Sequence, residues 1–139
     1  MITRDFVERN LFIEASPEIV FGFFTDAAKL MLWTGEEAEV DPKPGGLFRV
    51  KFDRRGVANG TYLDVEPFDR ILLTWGWEED EEVPPGSSKV EVTFTKQAEG
   101  TLVHLRHYDL PGDIEGHEGG WDYCLPRLTE AIRCTVVRS

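Results

Sequence analysis

Residues 101–136 read TLVHLRHYDLPGDIEGHEGGWDYCLPRLTEAIRCTV, and the hydrophobic period changes in the middle of the stretch. Val103, Leu105 and His107 stand two apart, the spacing of a strand that buries one face. Beyond Pro111-Gly112, the residues Trp121, Leu125, Leu128, Ile132 and Thr135 or Val136 recur at three and four, which predicts one long C-terminal helix with an apolar stripe. Pro126 lies inside that helix, lacks an N–H and crowds the preceding turn, so a kink or a loosened turn is expected there.

The alternation extends upstream. Val90, Val92 and Phe94 alternate with Glu91, Thr93 and Thr95, and Glu99-Gly100 turns the chain into the strand of His107. Before them, Ile71, Leu73, Trp75 and Trp77 share one face after a turn at Pro67-Phe68-Asp69. Phe48, Val50 and Phe52 alternate with Arg49, Lys51 and Asp53, and Gly56 allows a tight reversal into Val57 to Val65. Val40-Asp41-Pro42 and Pro44-Gly45-Gly46 mark the turn that precedes them. At the start of the chain, Phe6 to Ile13 alternates loosely and ends at Ser16-Pro17-Glu18, an N-cap serine with proline at the first helical position. A short helix follows, with Val20, Phe21 and Phe24 inward, and Asp26 caps a second short helix carrying Leu30 and Trp33. The expected fold class is α+β, one domain over residues 1–139: a curved antiparallel sheet of about seven strands around a long C-terminal helix, with two short helices after the first strand.

Seven strands about 4.8 Å apart make a sheet roughly 29 Å wide, whereas one helix is only about 10–12 Å across. The sheet must therefore curl around the helix, and space that side chains do not fill becomes a cavity. Each aromatic side chain buries roughly 150–250 Å², so the aromatics must line an interior or an interface. Trp33, Phe48, Phe52, Trp75, Trp77, His107, Trp121 and Leu125 are the candidate ligand-binding lining; a solid core built from the same residues is the competing reading.

Composition narrows the function classes. The formal charge of −11 disfavours nucleic acid and anionic membrane surfaces, whose affinity comes from Lys and Arg neutralising phosphates. No stretch reaches the roughly 20 apolar residues of a membrane span, and the charges within Met1 to Asn10 do not fit a secretory signal, so a cytoplasmic location is expected. Cys124 and Cys134 are ten residues apart on one helix, about 15 Å, out of disulfide reach, and are expected as reduced core thiols. The run Glu78-Glu79-Asp80-Glu81-Glu82 beside Pro84-Pro85-Gly86 reads as a solvated connection.

Several local phrases, taken in order, resemble one known family. They are Ala15-Ser16-Pro17-Glu18-Ile19-Val20-Phe21, Thr25-Asp26 with Trp33, Pro44-Gly45-Gly46-Leu47-Phe48, Gly60-Thr61-Tyr62-Leu63-Asp64-Val65, Leu73-Thr74-Trp75 and Gly120-Trp121-Asp122-Tyr123-Cys124-Leu125. The set is similar to the activator-of-heat-shock-protein-ATPase-like branch of the START-like (SRPBCC) superfamily. The resemblance implies a helix-grip fold with a hydrophobic cavity between sheet and C-terminal helix. It leaves activity open, because members of the wider superfamily bind lipids, steroids, polyketides or plant hormones, some cyclise or hydrolyse ligands, and others act as co-chaperones through protein contact.

No motif marks an enzyme. His104 and His107 are three apart on a strand and point to opposite faces, so they cannot share a metal ion, and His117 would approach His107 only through tertiary packing. His107, facing inward, is expected to be neutral, either orienting a ligand or bonded to Tyr123, Asp122 or backbone. Asp109, Glu115 and Asp122 show no acid–base spacing, and Cys124 has no basic neighbour to activate it. The expectation is a non-catalytic domain, without metal or cofactor, for a small hydrophobic molecule. A protein partner, and a cyclase- or hydrolase-like enzyme using His107 on a polyketide-like or aromatic substrate, are the alternatives.

Overall fold

The computed structural model describes residues 6–52 and 55–138. Strand β1 (Val7–Ile13) leads to helices α1 (Pro17–Thr25) and α2 (Ala27–Leu30). Six strands follow: β2 (Glu37–Val40), β3 (Leu47–Phe52), β4 (Gly56–Glu66), β5 (Arg70–Trp77), β6 (Ser88–Gln97) and β7 (Gly100–Tyr108), and then helix α3 (Ile114–Arg138). The sheet order is β1-β7-β6-β5-β4-β3-β2, every neighbour antiparallel. This is the α+β helix-grip arrangement, with a meander from β2 to β7 and β1 returning to pair with β7.

Local chemistry sets these boundaries. The Ser16 side chain accepts from the Ile19 N–H at 3.3 Å and Pro17 opens α1, while Asp26 accepts from the Lys29 N–H at 3.0 Å to start α2. Trp33 lies just past α2 rather than on it, because α2 ends at Leu30; its indole N–H donates to the Phe23 carbonyl at 2.9 Å. Asp53, expected to alternate at the end of β3, lies outside the described residues.

The curl of the sheet has a visible cause. Pairing between β4 and β5 shifts between Tyr62 and Asp64, an irregularity of the kind that bends a strand. There the strands approach so closely that a Cβ on Gly60 would sit 1.8 Å from the Thr74 carbonyl oxygen, so only glycine fits. The Thr74 hydroxyl accepts from the Thr61 N–H at 2.9 Å beside that contact.

Helix α3 lies in the concavity with Trp121, Cys124, Leu125, Leu128 and Ile132 buried, as the apolar stripe requires. It continues through Pro126 as one element. Arg9 on β1 clamps it from the far edge, donating from Nε to Asp122 Oδ1 at 2.8 Å and from Nη2 to Asp122 Oδ2 at 3.1 Å and Glu118 Oε2 at 3.3 Å. That two-pronged contact with Arg9 holds the Asp122 carboxyl below the usual carboxylate range. Cys134, expected in the core, is exposed: it lies two positions after Ile132, off the inward stripe, and only Cys124 is buried. Among the described residues no helix is long and apolar enough to cross a membrane.

Candidate functional site

Alternation on β3 and β5 sends Phe48, Phe52, Trp75 and Trp77 into the concave face, and the stripe on α3 brings Trp121 down on them. The rings form a continuous cluster. Trp75 is its centre, with ring centroids 5.5 Å from Phe48, 5.3 Å from Phe52, 5.6 Å from Trp77, 5.4 Å from Trp121 and 5.3 Å from His107. Edge-to-face and tilted contacts at such distances contribute about 0.5–1.5 kcal/mol each beyond burial.

Two voids remain. An inner one of about 20 Å³ touches Phe24, Leu30, Trp33 and Phe48 among others, and a cleft of about 60 Å³ reaches the surface between Arg55, Trp77, His117, Gly120 and Tyr123. Phe52, Trp75 and Trp121 line both. The roomy hollow expected from the sheet width is therefore corrected: the curled sheet closes on α3 and the rings occupy most of the space between them. The inner void is the size of one water, and the cleft is well below the roughly 150 Å³ of a cavity that takes up benzene. Of the eight candidate lining residues, six form the cluster. Trp33 joins at the inner void, 5.1 Å from Phe24, whereas Leu125, buried on α3, and His107, buried beside Trp75, line neither void.

Two histidines accept from indole donors of the cluster: His117 lines the cleft, and His107, fully buried, lines neither void. Trp121 Nε1–H donates to His107 Nδ1 at 3.1 Å, so the neutral ring carries its proton on Nε2 and donates to Ser88 Oγ at 2.9 Å; Ser88 in turn donates to the Trp75 carbonyl at 2.8 Å. Trp77 Nε1–H donates to His117 Nε2 at 2.9 Å, and the other nitrogen, Nδ1, donates to the Asp113 carbonyl at 2.7 Å. The two imidazoles stand edge to face, centroids 5.0 Å apart. Burial, and after it His117 and Arg55, holds His107 well below the usual histidine range. Burial likewise lowers His117, opposed by the Asp113 carbonyl and assisted by Arg55.

These partners differ from the expected ones. His107 is bonded to Ser88 and Trp121 rather than to Tyr123, Asp122 or backbone, and tertiary packing does bring His117 against it. His104, on the opposite face of β7, meets Glu8 Oε2 at 2.7 Å. Among the described residues no group of three or more His, Cys, Asp or Glu could hold a metal ion.

Arg55 is the residue that sequence reasoning missed. Its guanidinium lies 4.7 Å from the Trp77 ring centroid and pairs with Asp113 Oδ2 at 2.8 Å, placing a cation at the cleft mouth. The turn before β4 carries no signal that would announce this. Among the described residues, the Trp75 Nε1–H is buried without an acceptor, which ordinarily costs about 1–3 kcal/mol.

With this geometry in place, the sequence profile of the Activator of Hsp90 ATPase homolog 1-like protein family matches residues 14–133. The chain belongs to that family. An AHSA1-like protein from Rhizobium etli, solved by solution NMR, is 43% identical over 91% of this chain and 81% of that one, with a TM-score of 0.73. A protein from Chromobacterium violaceum is 22% identical over 92% and 96% of the two chains, with a TM-score of 0.80. An HSP90 activator from Plasmodium falciparum is 24% identical over 90% and 94%, with a TM-score of 0.74. The last two likenesses are of fold alone. No protein with a curated description matches the chain. Family and fold together support a ligand-binding or interaction module.

Proposed function

We propose that this domain binds a small, mostly apolar ligand in the cleft between β3, β5 and α3, without catalysing a reaction on it. The observation that carries the reading is the cleft itself, open to the surface and walled by Phe52, Trp75, Trp77 and Trp121. A cleft of about 60 Å³ does not enclose a ring compound, so burying one requires rings to part or α3 to lift, and binding and opening are one event. Catalysis through His107 finds no support, because both of its nitrogens are engaged inside the fold.

Titrating apolar probes while following tryptophan emission and the indole N–H signals in ¹⁵N-edited NMR tests the reading. Saturable shifts at Trp75, Trp77 and Trp121 are expected, with Trp33 much less affected. Probes that move no indole signal at any accessible concentration would defeat it.

A protein-interaction role, co-chaperone-like, is the second reading, favoured by the exposed apolar side chains Ile19, Met31 and Leu32 around α1 and α2. It requires a stoichiometric partner on purification from the native cell.

A further inference from the structure

The four tryptophans differ in one respect. Trp33, Trp77 and Trp121 each donate their indole N–H to an acceptor inside the fold, the Phe23 carbonyl, His117 Nε2 and His107 Nδ1 respectively. Trp75, only 3% exposed and lining both voids, has no such acceptor among the described residues. Buried polar groups are nearly always satisfied, so an unmatched donor on the wall of a cleft is a feature that asks for an acceptor.

The remaining polar groups in and behind the cleft wall narrow that acceptor's chemistry. The imidazole nitrogens cannot receive a donor from a ligand, since His117 Nε2 and His107 Nδ1 already accept one N–H each and the opposite nitrogens carry protons. The face of Trp77, which would otherwise attract an ammonium, has the Arg55 guanidinium over it. The cleft thus presents apolar rings with a resident cation at the mouth, and the Trp75 Nε1–H lies buried behind its wall, within reach only of a ligand that parts the rings.

Building on the ligand-binding reading, we propose that the ligand is an apolar ring compound bearing a hydrogen-bond acceptor such as a ketone or ester carbonyl, received by the Trp75 Nε1–H. Ammonium-bearing rings are disfavoured. Trp75 is then the residue that sets specificity, while the rest of the cluster supplies apolar contact that any flat hydrocarbon can use.

Three probes of one bicyclic shape separate these terms: indane, 1-indanone and the cation 1-aminoindane, titrated at pH 7.5 into the ¹⁵N-labelled full chain. 1-Indanone is expected to bind about tenfold more tightly than indane, 1-aminoindane more weakly than either, and the Trp75 indole N–H signal to move downfield with 1-indanone only. In Trp75→Phe the ratio of 1-indanone to indane affinity should fall to about one, whatever the variant's absolute affinity for indane. Should that variant fail to fold, the wild-type affinity ratio and the Trp75 signal decide the matter alone. Equal affinities for indane and 1-indanone, as a water held on the indole would give, overturn the ligand class and leave the binding reading standing. Tightest binding by 1-aminoindane also overturns it. Binding of none of the three overturns both readings together.

Discussion

Lowering the pH from 7.5 to 5.5 should destabilise this fold through two side chains in particular. His107 and His117 are buried, neutral and hydrogen-bonded as acceptors of indole N–H groups, and protonation of His107 Nδ1 or His117 Nε2 would turn each accepted bond into a clash of two donors. Both folded values lie below the unfolded value of about 6.5, so the unfolded chain takes up protons first. The stability they support is complete above about pH 6.5 and is lost as pH falls towards the folded values. For a histidine that stays neutral in the fold throughout, the linkage integral between pH 7.5 and 5.5 is about 1.4 kcal/mol. His107 should contribute close to that amount, and both residues together at most about 2.7 kcal/mol. The carboxylates of Glu78, Asp80 and Asp122 are also held below their ordinary values, by Arg49 and Asn59, by the backbone N–H groups of Val83 and Glu82, and by Arg9. They act in the same direction, but only as pH falls below about 4.5, outside the window. Urea unfolding at pH 7.5, 6.5 and 5.5 measures the effect directly. His117→Gln, whose amide oxygen can still accept from Trp77, should reduce the drop to that of His107. A wild-type stability that is flat to within about 0.5 kcal/mol across the window would refute the assignment of two neutral buried imidazoles.

Other perturbations probe the same framework. Ser88→Ala strips the acceptor from the His107 Nε2–H and should cost about 1–3 kcal/mol by urea unfolding; a loss under 0.5 kcal/mol would contradict that hydrogen bond. Gly60→Ala drives a Cβ into the Thr74 carbonyl and should cost about 3 kcal/mol or prevent folding, read as the loss of a cooperative melt; a normal melt would mean that β4 and β5 are not so close. Gly119→Ala places a Cβ in open space on a helix and should stabilise by up to about 1 kcal/mol, whereas destabilisation would indicate a neighbour that the fold does not show. In hydrogen exchange, amides 116–125 should open more readily than 127–136, and equal protection of the two halves of α3 would argue against a soft cleft wall.

Most of the fold was legible because period and punctuation agreed. Ser16-Pro17 and Asp26 start α1 and α2 where capping chemistry says they should, and the alternation in β3, β5, β6 and β7 gives the buried faces residue by residue. Inward direction is set by a period of two, which is why Trp75, Trp77 and His107 were placed correctly. What escaped was everything that depends on two elements meeting. The pairing of Trp77 with His117 joins residues 40 apart, and that of His107 with Ser88 joins residues 19 apart, so no local spacing reports them. Trp33 was carried too far along α2, since a one-turn helix has little periodicity to read. Cys134 was assigned to the core although ten positions from Cys124 is 1000° of helical rotation, about 80° short of three full turns and so off the inward stripe.

The size of the void was the harder question, because indole rings that line a cavity and indole rings that fill one give the same sequence pattern. Counting strand widths sets how far the sheet must curl but not how much side-chain volume enters the concavity, and here the cluster around Trp75 consumes nearly all of it. Whether such an interior can still admit a ligand then depends on how firmly its walls are held. The half of α3 that closes the cleft contains Gly116, Gly119 and Gly120, and each glycine weakens a helix by roughly 1 kcal/mol against alanine. Packing explains Gly116, where a Cβ would meet the Asp113 carboxylate at 2.4 Å, but not Gly119 or Gly120, where it would meet nothing within 4 Å. This half of the helix is therefore held less by its own propensity than by Trp121 on His107, His117 on Trp77 and Asp122 on Arg9. Contacts of that kind can be exchanged for contacts with a ligand one at a time, which makes a closed, ring-filled cleft compatible with a binding site that opens along α3.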